Sequence, residues 1–283
     1  QGGASLEFLM VPYNLMSKGG KAAYASTGTW AKKAITEAKK FGDTIILCDS
    51  SKRNYNYIPK DYIIPTEADY FHCTSNNTIY GTQMHNFPSC PTLMVCDMSS
   101  DIFSRKINVN KFDLIYAGAQ KNMGPAGTTL VIVKNDILGK TSRNIPTMLD
   151  YTTHIKKDSM FNTPPVFAIY VSMLMLQWLK DLGGIEVVEK INCEKAKLLY
   201  NEIDRNTLFT GTAEHEDRSN MNICFLLTDK NKEEYFDKLC NDAGIIGIKG
   251  HRSVGGYRAS IYNAMPLESV QVLVNTMQKL EEI

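Results

Sequence analysis

Thr92-Leu-Met-Val-Cys-Asp97 and Leu114-Ile-Tyr-Ala-Gly-Ala-Gln-Lys121 are short apolar runs, one ending in a carboxylate and the other in an amine. Neither run alternates cleanly between apolar and polar residues. Strands covered on both faces read this way. Working outward, Asp43-Thr-Ile-Ile-Leu-Cys48, Tyr70–Thr74 and Thr128-Thr-Leu-Val-Ile-Val133 repeat the pattern between helical or polar segments. The alternation predicts an α/β fold with a mixed, mostly parallel sheet. Ligands of such sheets lie outside the carboxyl ends of the strands. Thr78, Asp97 and Lys121 all fall at or just past such ends.

The remaining segments complete the expected organisation. Residues 17–41 read as a helix with small residues on one side and lysines on the other. Residues 135–165 are loop-rich and include Asn162-Thr-Pro-Pro165. Val166–Leu182 reads as a long apolar helix that Gly183-Gly184 ends, and the domain boundary is placed there. Residues 1–182 are expected to form the large domain and 183–283 a small C-terminal α/β domain. Within the latter, Ile185–Asn206 and Lys232–Ala243 read as helices. Met221–Thr228, Ile245–Lys249 and Tyr257–Tyr262 read as strands. Pro266–Ile283 reads as a final helix with proline in its first turn.

A length of 283 residues with 43% apolar content is enough for a substantial core. The net charge of +1 provides no global field for nucleic acid or a membrane surface. Lys32-Lys33 and Lys39-Lys40 read as a solvated helix face. The seven cysteines are scattered, form no CxxC, and several sit in apolar runs, so they read as reduced core residues of a cytosolic protein. His72, His85, His154 and His215 have no metal-ligand spacing, and no metal is expected. No apolar stretch reaches membrane-spanning length and none reads as a signal peptide.

The chemistry is carried by Asp97 and Lys121. An amine can hold an aldehyde cofactor as a Schiff base, and a carboxylate can keep a pyridine nitrogen protonated. That is the demand of pyridoxal phosphate. Small residues precede Lys121, and Gly124-Pro-Ala-Gly127 follows, leaving room for a flat ring. Trp30 could stack on that ring, and Thr27-Gly-Thr29 before it resembles a helix start. Gly2-Gly3-Ala4-Ser5 offers amides and a hydroxyl to a phosphate, although it matches neither GxGxxG nor GxxxxGK. The loop Gly250-His-Arg-Ser-Val-Gly-Gly-Tyr-Arg258 carries two guanidinium groups, which suit a substrate with two anionic ends.

Five stretches together resemble the phosphoserine aminotransferase family, class-V pyridoxal phosphate enzymes of fold type I. They are Ser26-Thr-Gly-Thr-Trp-Ala-Lys-Lys-Ala34, Asp97-Met-Ser-Ser-Asp101, Tyr116-Ala-Gly-Ala-Gln-Lys-Asn122, Asn162-Thr-Pro-Pro165 and Gly250 through Asn263. The resemblance runs over essentially the whole chain. It implies reversible amino transfer between L-glutamate and 3-phosphohydroxypyruvate, giving O-phospho-L-serine and 2-oxoglutarate in serine biosynthesis. It implies that Lys121 holds pyridoxal 5'-phosphate, Asp97 pairs with its ring nitrogen and Trp30 stacks on it. Thr78 and Gln120 are implied to contact the cofactor, and Ala4 and Ser5 its phosphate. Asn162 and Thr163 are implied to reach the partner subunit's cofactor phosphate across a homodimer interface. Arg258 is implied to bind the substrate α-carboxylate, and His251 and Arg252 the substrate phosphate. The family often reads Asn-Glu-Thr-Ile where this chain has Asn76-Asn77-Thr78-Ile79. The resemblance also implies a further N-terminal segment ahead of Gln1, with a His-Arg pair that helps bind substrate. Another class-V enzyme, such as a serine–glyoxylate aminotransferase or a cysteine desulfurase, is the alternative. A cofactor-binding form without turnover is the non-enzyme alternative.

Overall fold

The computed structural model describes residues 1–282. Helix α1 (Gly3–Leu15) leads into β1 (Lys21–Ser26), α2 (Thr29–Ala38) and β2 (Asp43–Asp49). Next come β3 (Tyr70–Thr74), a short hairpin of β4 (Asn76–Asn77) and β5 (Thr82–Gln83), then β6 (Leu93–Asp97), β7 (Leu114–Gly118) and β8 (Thr129–Val133). Three helices follow: α3 (Tyr151–Lys156), α4 (Val166–Asp181) and α5 (Ile185–Arg205). The chain closes with β9 (Phe209–Gly211), β10 (Asn222–Leu227), α6 (Glu233–Asp242), β11 (Tyr257–Ser260) and α7 (Leu267–Glu281).

The main sheet is six-stranded in the order β2-β1-β3-β6-β7-β8. All neighbours run parallel except β7 and β8, which are antiparallel. Phe8, Val11 and Ile35 from α1 and α2 pack on one face, against Tyr24, Tyr70, Val95 and Tyr116. Ile58, Met98 and Phe112 cover the other face, against Ala23, Phe71, Met94, Cys96 and Ile115. Both faces are therefore dry, which explains the unbroken apolar runs. Each large side chain buried here contributes about 1.5–3 kcal/mol. A second, antiparallel sheet of order β11-β10-β9 has its own core, where Leu199, Phe225, Phe236, Tyr257 and Met277 meet between α5, α6 and α7.

Several sequence expectations need correction. Residues 17–41 are not one helix: Lys21–Ser26 is β1, and the helix begins at Thr29. Ala22-Ala-Tyr-Ala25 is rich in a good helix former, but it lies inside the sheet, where tertiary burial overrides propensity. The segment that opens the chain, to which the sequence reading assigned no element, is helix α1, and Pro12 inside it hid the pattern. Ile245–Lys249 forms no strand. Only a single bridge joins Lys249 to Tyr257, because Gly247 takes a left-handed φ of 71° that interrupts an extended run. Lys121 does not close β7, which ends at Gly118; it stands in the turn beyond. Among the cysteines, Cys73, Cys96, Cys224 and Cys240 are buried, but Cys193 is exposed on α5.

Beneath the carboxyl ends of the strands lies a buried polar layer. His72 Nε2 meets Tyr116 Oη at 2.8 Å, Tyr24 and Tyr70 share a hydroxyl contact of 2.7 Å, and Tyr151 Oη donates to Glu7 Oε2 at 2.5 Å. Burial pushes the Glu7 carboxyl up to about 7 from 4.5. The folded state then binds this proton across pH 4.5–7 while the unfolded state releases it, so stability falls as pH rises through that window. We expect Glu7→Gln to remove this slope of about 1.4 kcal/mol per pH unit. Chemical denaturation of both proteins at pH 4.5 and 7 checks it, and equal pH slopes would contradict it.

Candidate active site

The register of the main sheet sets the site. Thr74 pairs with Asp97, and Asp97 pairs with Tyr116, so these three residues stand abreast on one face at the carboxyl end. Asp97 is buried. Its carboxylate accepts from the Ser99 amide at 2.9 Å, and no cation hydrogen-bonds to it. Burial raises its pKa, while Ser99 and the charge of Lys121 pull the other way.

Lys121 reaches back toward Asp97 from the turn after β7. Its Nζ lies 5.8 Å from the centroid of the Trp30 ring. Burial lowers the pKa of this ammonium, Asp97 opposes that, and the positive charge of Arg258 adds to it. A larger share of Lys121 is therefore neutral near pH 7 than for a solvated lysine. Trp30 lies in the first turn of α2, and its Nε1 donates to Thr78 Oγ1 at 3.1 Å. Gly28 makes this approach possible: a Cβ there would lie 2.6 Å from Asn77 Oδ1. Thr78 in turn accepts, at its carbonyl, from Arg258 Nη1 at 3.0 Å. Asp97, Lys121, Trp30, Thr78 and Arg258 thus form one constellation joining the main sheet to β11.

Ala4 and Ser5 occupy the first turn of α1, where helix amides have no intrahelical partner and favour an anion. Ala4 and Trp30 both pack against the apolar cluster on this face of the sheet, and Glu7, farther along α1, lies within range of the charge of Asp97.

The other expected residues lie farther out. Gln120 is exposed and makes no side-chain hydrogen bond among the described residues. The Thr163 carbonyl accepts from Gln1 Nε2 at 3.1 Å, which places the Asn162–Thr163 loop beside the start of α1 instead of at Lys121. His251 and Arg252 sit in the turn before β11. His251 Nδ1 contacts Ser253 Oγ at 2.7 Å, and Arg252 is exposed. Sequence reading missed Thr74, Ser99 and Asn122. Thr74 and Ser99 flank Asp97 in space, and only the strand register reveals the first of them. No group of acidic, cysteine or histidine side chains among the described residues can hold a metal.

These residues fit pyridoxal phosphate. Asp97 is a dehydrated carboxylate without a paired cation. The Thr74 hydroxyl beside it is buried without a partner. A dehydrated amine, an indole face and a helix N-terminus complete the donor set that a phosphorylated aromatic aldehyde requires.

Comparison with known proteins agrees with this geometry. The family model described as aminotransferase class-V matches residues 1–273. A phosphoserine aminotransferase of Flavobacterium psychrophilum is 71% identical over 280 residues, covering 99% of this chain and 79% of that protein. A solved phosphoserine aminotransferase from Bacillus circulans subsp. alkalophilus superposes with a TM-score of 0.96 at 45% identity, covering 100% of this chain and 79% of the other. A pyridoxal phosphate-bound phosphoserine aminotransferase from Trichomonas vaginalis gives 0.92 at 36% identity, covering 98% and 80%. The chain thus spans about four-fifths of the length of these relatives.

Proposed function

The chain belongs to the class-V aminotransferase family, and from that premise we propose that it is a phosphoserine aminotransferase. It transfers an amino group reversibly between L-glutamate and 3-phosphohydroxypyruvate, in L-serine biosynthesis. The observation that supports this reading is the buried Lys121 ammonium 5.8 Å from the Trp30 ring centroid and under the charges of Asp97 and Arg258.

Pyridoxal phosphate, when bound, supplies an electron sink for the pair left at the amino acid Cα. The chain's own residues do the rest. Asp97 would keep the ring nitrogen protonated, and that positive charge would offset the carboxylate's own dehydration. Trp30 covers one ring face and excludes water. Ser5 and the α1 amides hold the phosphate, with Thr78 and Gln120 at the rim. Lys121 would hold the cofactor through its aldehyde carbon, and its Nζ, the nearest amine, would carry the proton to and from the substrate Cα. Arg258 forks the substrate α-carboxylate, a bidentate contact that lysine cannot reproduce. His251 and Arg252 bind the substrate phosphate, or the side-chain carboxylate of glutamate, so one pocket serves both partners.

The working unit is proposed to be a homodimer, with Asn162 and Thr163 reaching the partner's cofactor phosphate and His251 and Arg252 also acting across the interface. Val166, Phe167, Tyr170 and Met173 stand exposed along α4, an apolar surface that such an interface would cover. Residues 1–182 are read as the cofactor-binding domain and 183–283 as the small domain. No single helix among the described residues is long and apolar enough to cross a membrane. The proposed compartment is the cytoplasm, where seven unpaired cysteines stay reduced.

Steady-state kinetics with O-phospho-L-serine and 2-oxoglutarate test the proposal. Turnover with parallel double-reciprocal lines is expected, because the first product leaves before the second substrate binds. Intersecting lines or no turnover would contradict it. Arg258→Lys is expected to raise KM for both substrates about ten- to hundredfold through loss of the bidentate contact. Unchanged KM values would remove Arg258 from its assigned role.

A further inference from the structure

The segment Ile261–Met265 follows directly on β11, the strand that carries Arg258. Helix α5 holds this segment from one face. Lys195 is buried, and its ammonium donates to the carbonyls of Ile261 at 3.0 Å, Tyr262 at 2.8 Å and Met265 at 3.0 Å. Asn192, one turn earlier on the same face, donates from Nδ2 to Asn263 Oδ1 at 2.8 Å and to the Ser104 carbonyl at 3.1 Å. These bonds fix which way the Asn263 amide points.

Asn263 then reaches both loops of the candidate site. Its Nδ2 donates to the Phe103 carbonyl at 3.0 Å, in the loop that follows Asp97. Its main-chain N–H donates to Asn122 Oδ1 at 3.0 Å, and Asn122 directly follows Lys121. Asn122 Nδ2 closes the circuit on the Ser100 carbonyl at 3.3 Å. Phe103 holds a φ of 58°, a left-handed conformation that bulky side chains seldom adopt and that surrounding contacts must maintain. The same loop contains Ser99, whose amide donates to Asp97 Oδ1. Asn122, Asn192 and Asn263 are all buried, and hydrogen bonds through their amides, with only Asn192 Oδ1 left unpartnered among the described residues, link the loops they join.

We propose that Asn263 is a positioning residue that ties the Arg258 strand to the loops after Asp97 and Lys121, so that guanidinium, amine and carboxylate keep one fixed spacing. The inference rests on the aminotransferase reading. Asn263 is buried and its hydrogen bonds run to Asn122, Asn192 and Phe103, so its loss is expected to act on the alignment of reacting groups and to leave substrate binding largely intact.

The test is Asn263→Ala. In the cofactor-free protein, amide hydrogen exchange at Ser99 and Ile102 is expected to quicken about tenfold, with amides of β10 as the unchanged control. In the loaded enzyme kcat is expected to fall about ten- to hundredfold while both KM values stay within about twofold, the pattern of misplaced reacting groups. A lower melting temperature with unchanged kcat and unchanged Ser99 exchange would reduce Asn263 to a structural role and overturn the proposal. A raised KM with kcat preserved would overturn it as well. If Asn263→Ala does not fold, Asn192→Ala carries the test, because it leaves Asn263 in place but unoriented. It should lower kcat about three- to tenfold with KM kept, and no change in kcat or Ser99 exchange would overturn the proposal. Failure of the wild-type protein to transaminate would overturn the functional reading instead, while Ser99 exchange still decides the positioning role.

Discussion

Lys121→Ala is expected to abolish turnover, with kcat lowered by about 10⁴-fold or more, the upper range for losing a positioned proton-transfer group. Lys121 is the amine that Asp97 and the Trp30 ring flank, and burial holds its pKa below that of a solvated lysine. The substitution removes the residue proposed both to anchor the cofactor and to move the Cα proton. The fold should survive, because Lys121 sits in a turn outside the strand and packs in no core cluster. Lys121→Arg should fail equally. A guanidinium keeps the positive charge near Asp97 but gives up no proton near neutrality. Activity within tenfold of wild type in either variant would place the amine chemistry elsewhere.

Asp97→Asn is expected to produce effects of opposite sign in the loaded and cofactor-free protein. In the loaded enzyme the ring nitrogen loses its anionic partner, and kcat should fall about 10²- to 10⁴-fold. In the cofactor-free protein the buried carboxylate is a liability. Burial raises its pKa, so the folded state holds the proton more tightly than the unfolded chain, and stability declines as pH rises through that interval. Asparagine removes the decline and still offers Oδ1 to the Ser99 amide. The cofactor-free variant should therefore match wild type at low pH and exceed it at neutral pH. Calorimetry of both proteins at pH 4 and 7, beside a turnover assay, checks the pair of expectations. A variant that kept its kcat, or that was less stable at both pH values, would contradict the role given to Asp97.

Much of the fold was legible because double-sided burial leaves a strong imprint. Leu93–Cys96 and Leu114–Ala117 are continuous apolar runs since helices cover one face and loops the other. Strand β1 was illegible for a compositional reason. Its alanines are buried on both faces of the sheet, Ala22 on the α1/α2 side and Ala23 and Ala25 on the other, and alanine favours helix in the absence of tertiary contacts. Helix α1 was hidden by Pro12 and by glycines at its start. Strand-end chemistry singled out Asp97 and Lys121 in the sequence, and the fold puts Asp97 at the end of β6 and Lys121 in the turn after β7. Thr74, Ser99 and the asparagines at 122, 192 and 263 could not be found that way. Their roles come from register and from contacts across long stretches of chain, which local sequence does not display. The sequence assigned Trp30, Thr78 and Arg258 to one site without showing how they connect, and a hydrogen-bonded chain through the Thr78 hydroxyl and carbonyl joins them.

The measurement that bears most directly on the central assignment is a single half-reaction. The purified protein, loaded with pyridoxal phosphate, is mixed with O-phospho-L-serine and no amino acceptor, and the visible absorbance of the bound cofactor is followed. The expected result is complete loss of the resting band, with one 3-phosphohydroxypyruvate released per site and recovery of the band on adding 2-oxoglutarate. A band that O-phospho-L-serine leaves unchanged, or that L-serine discharges equally well, would contradict the assignment.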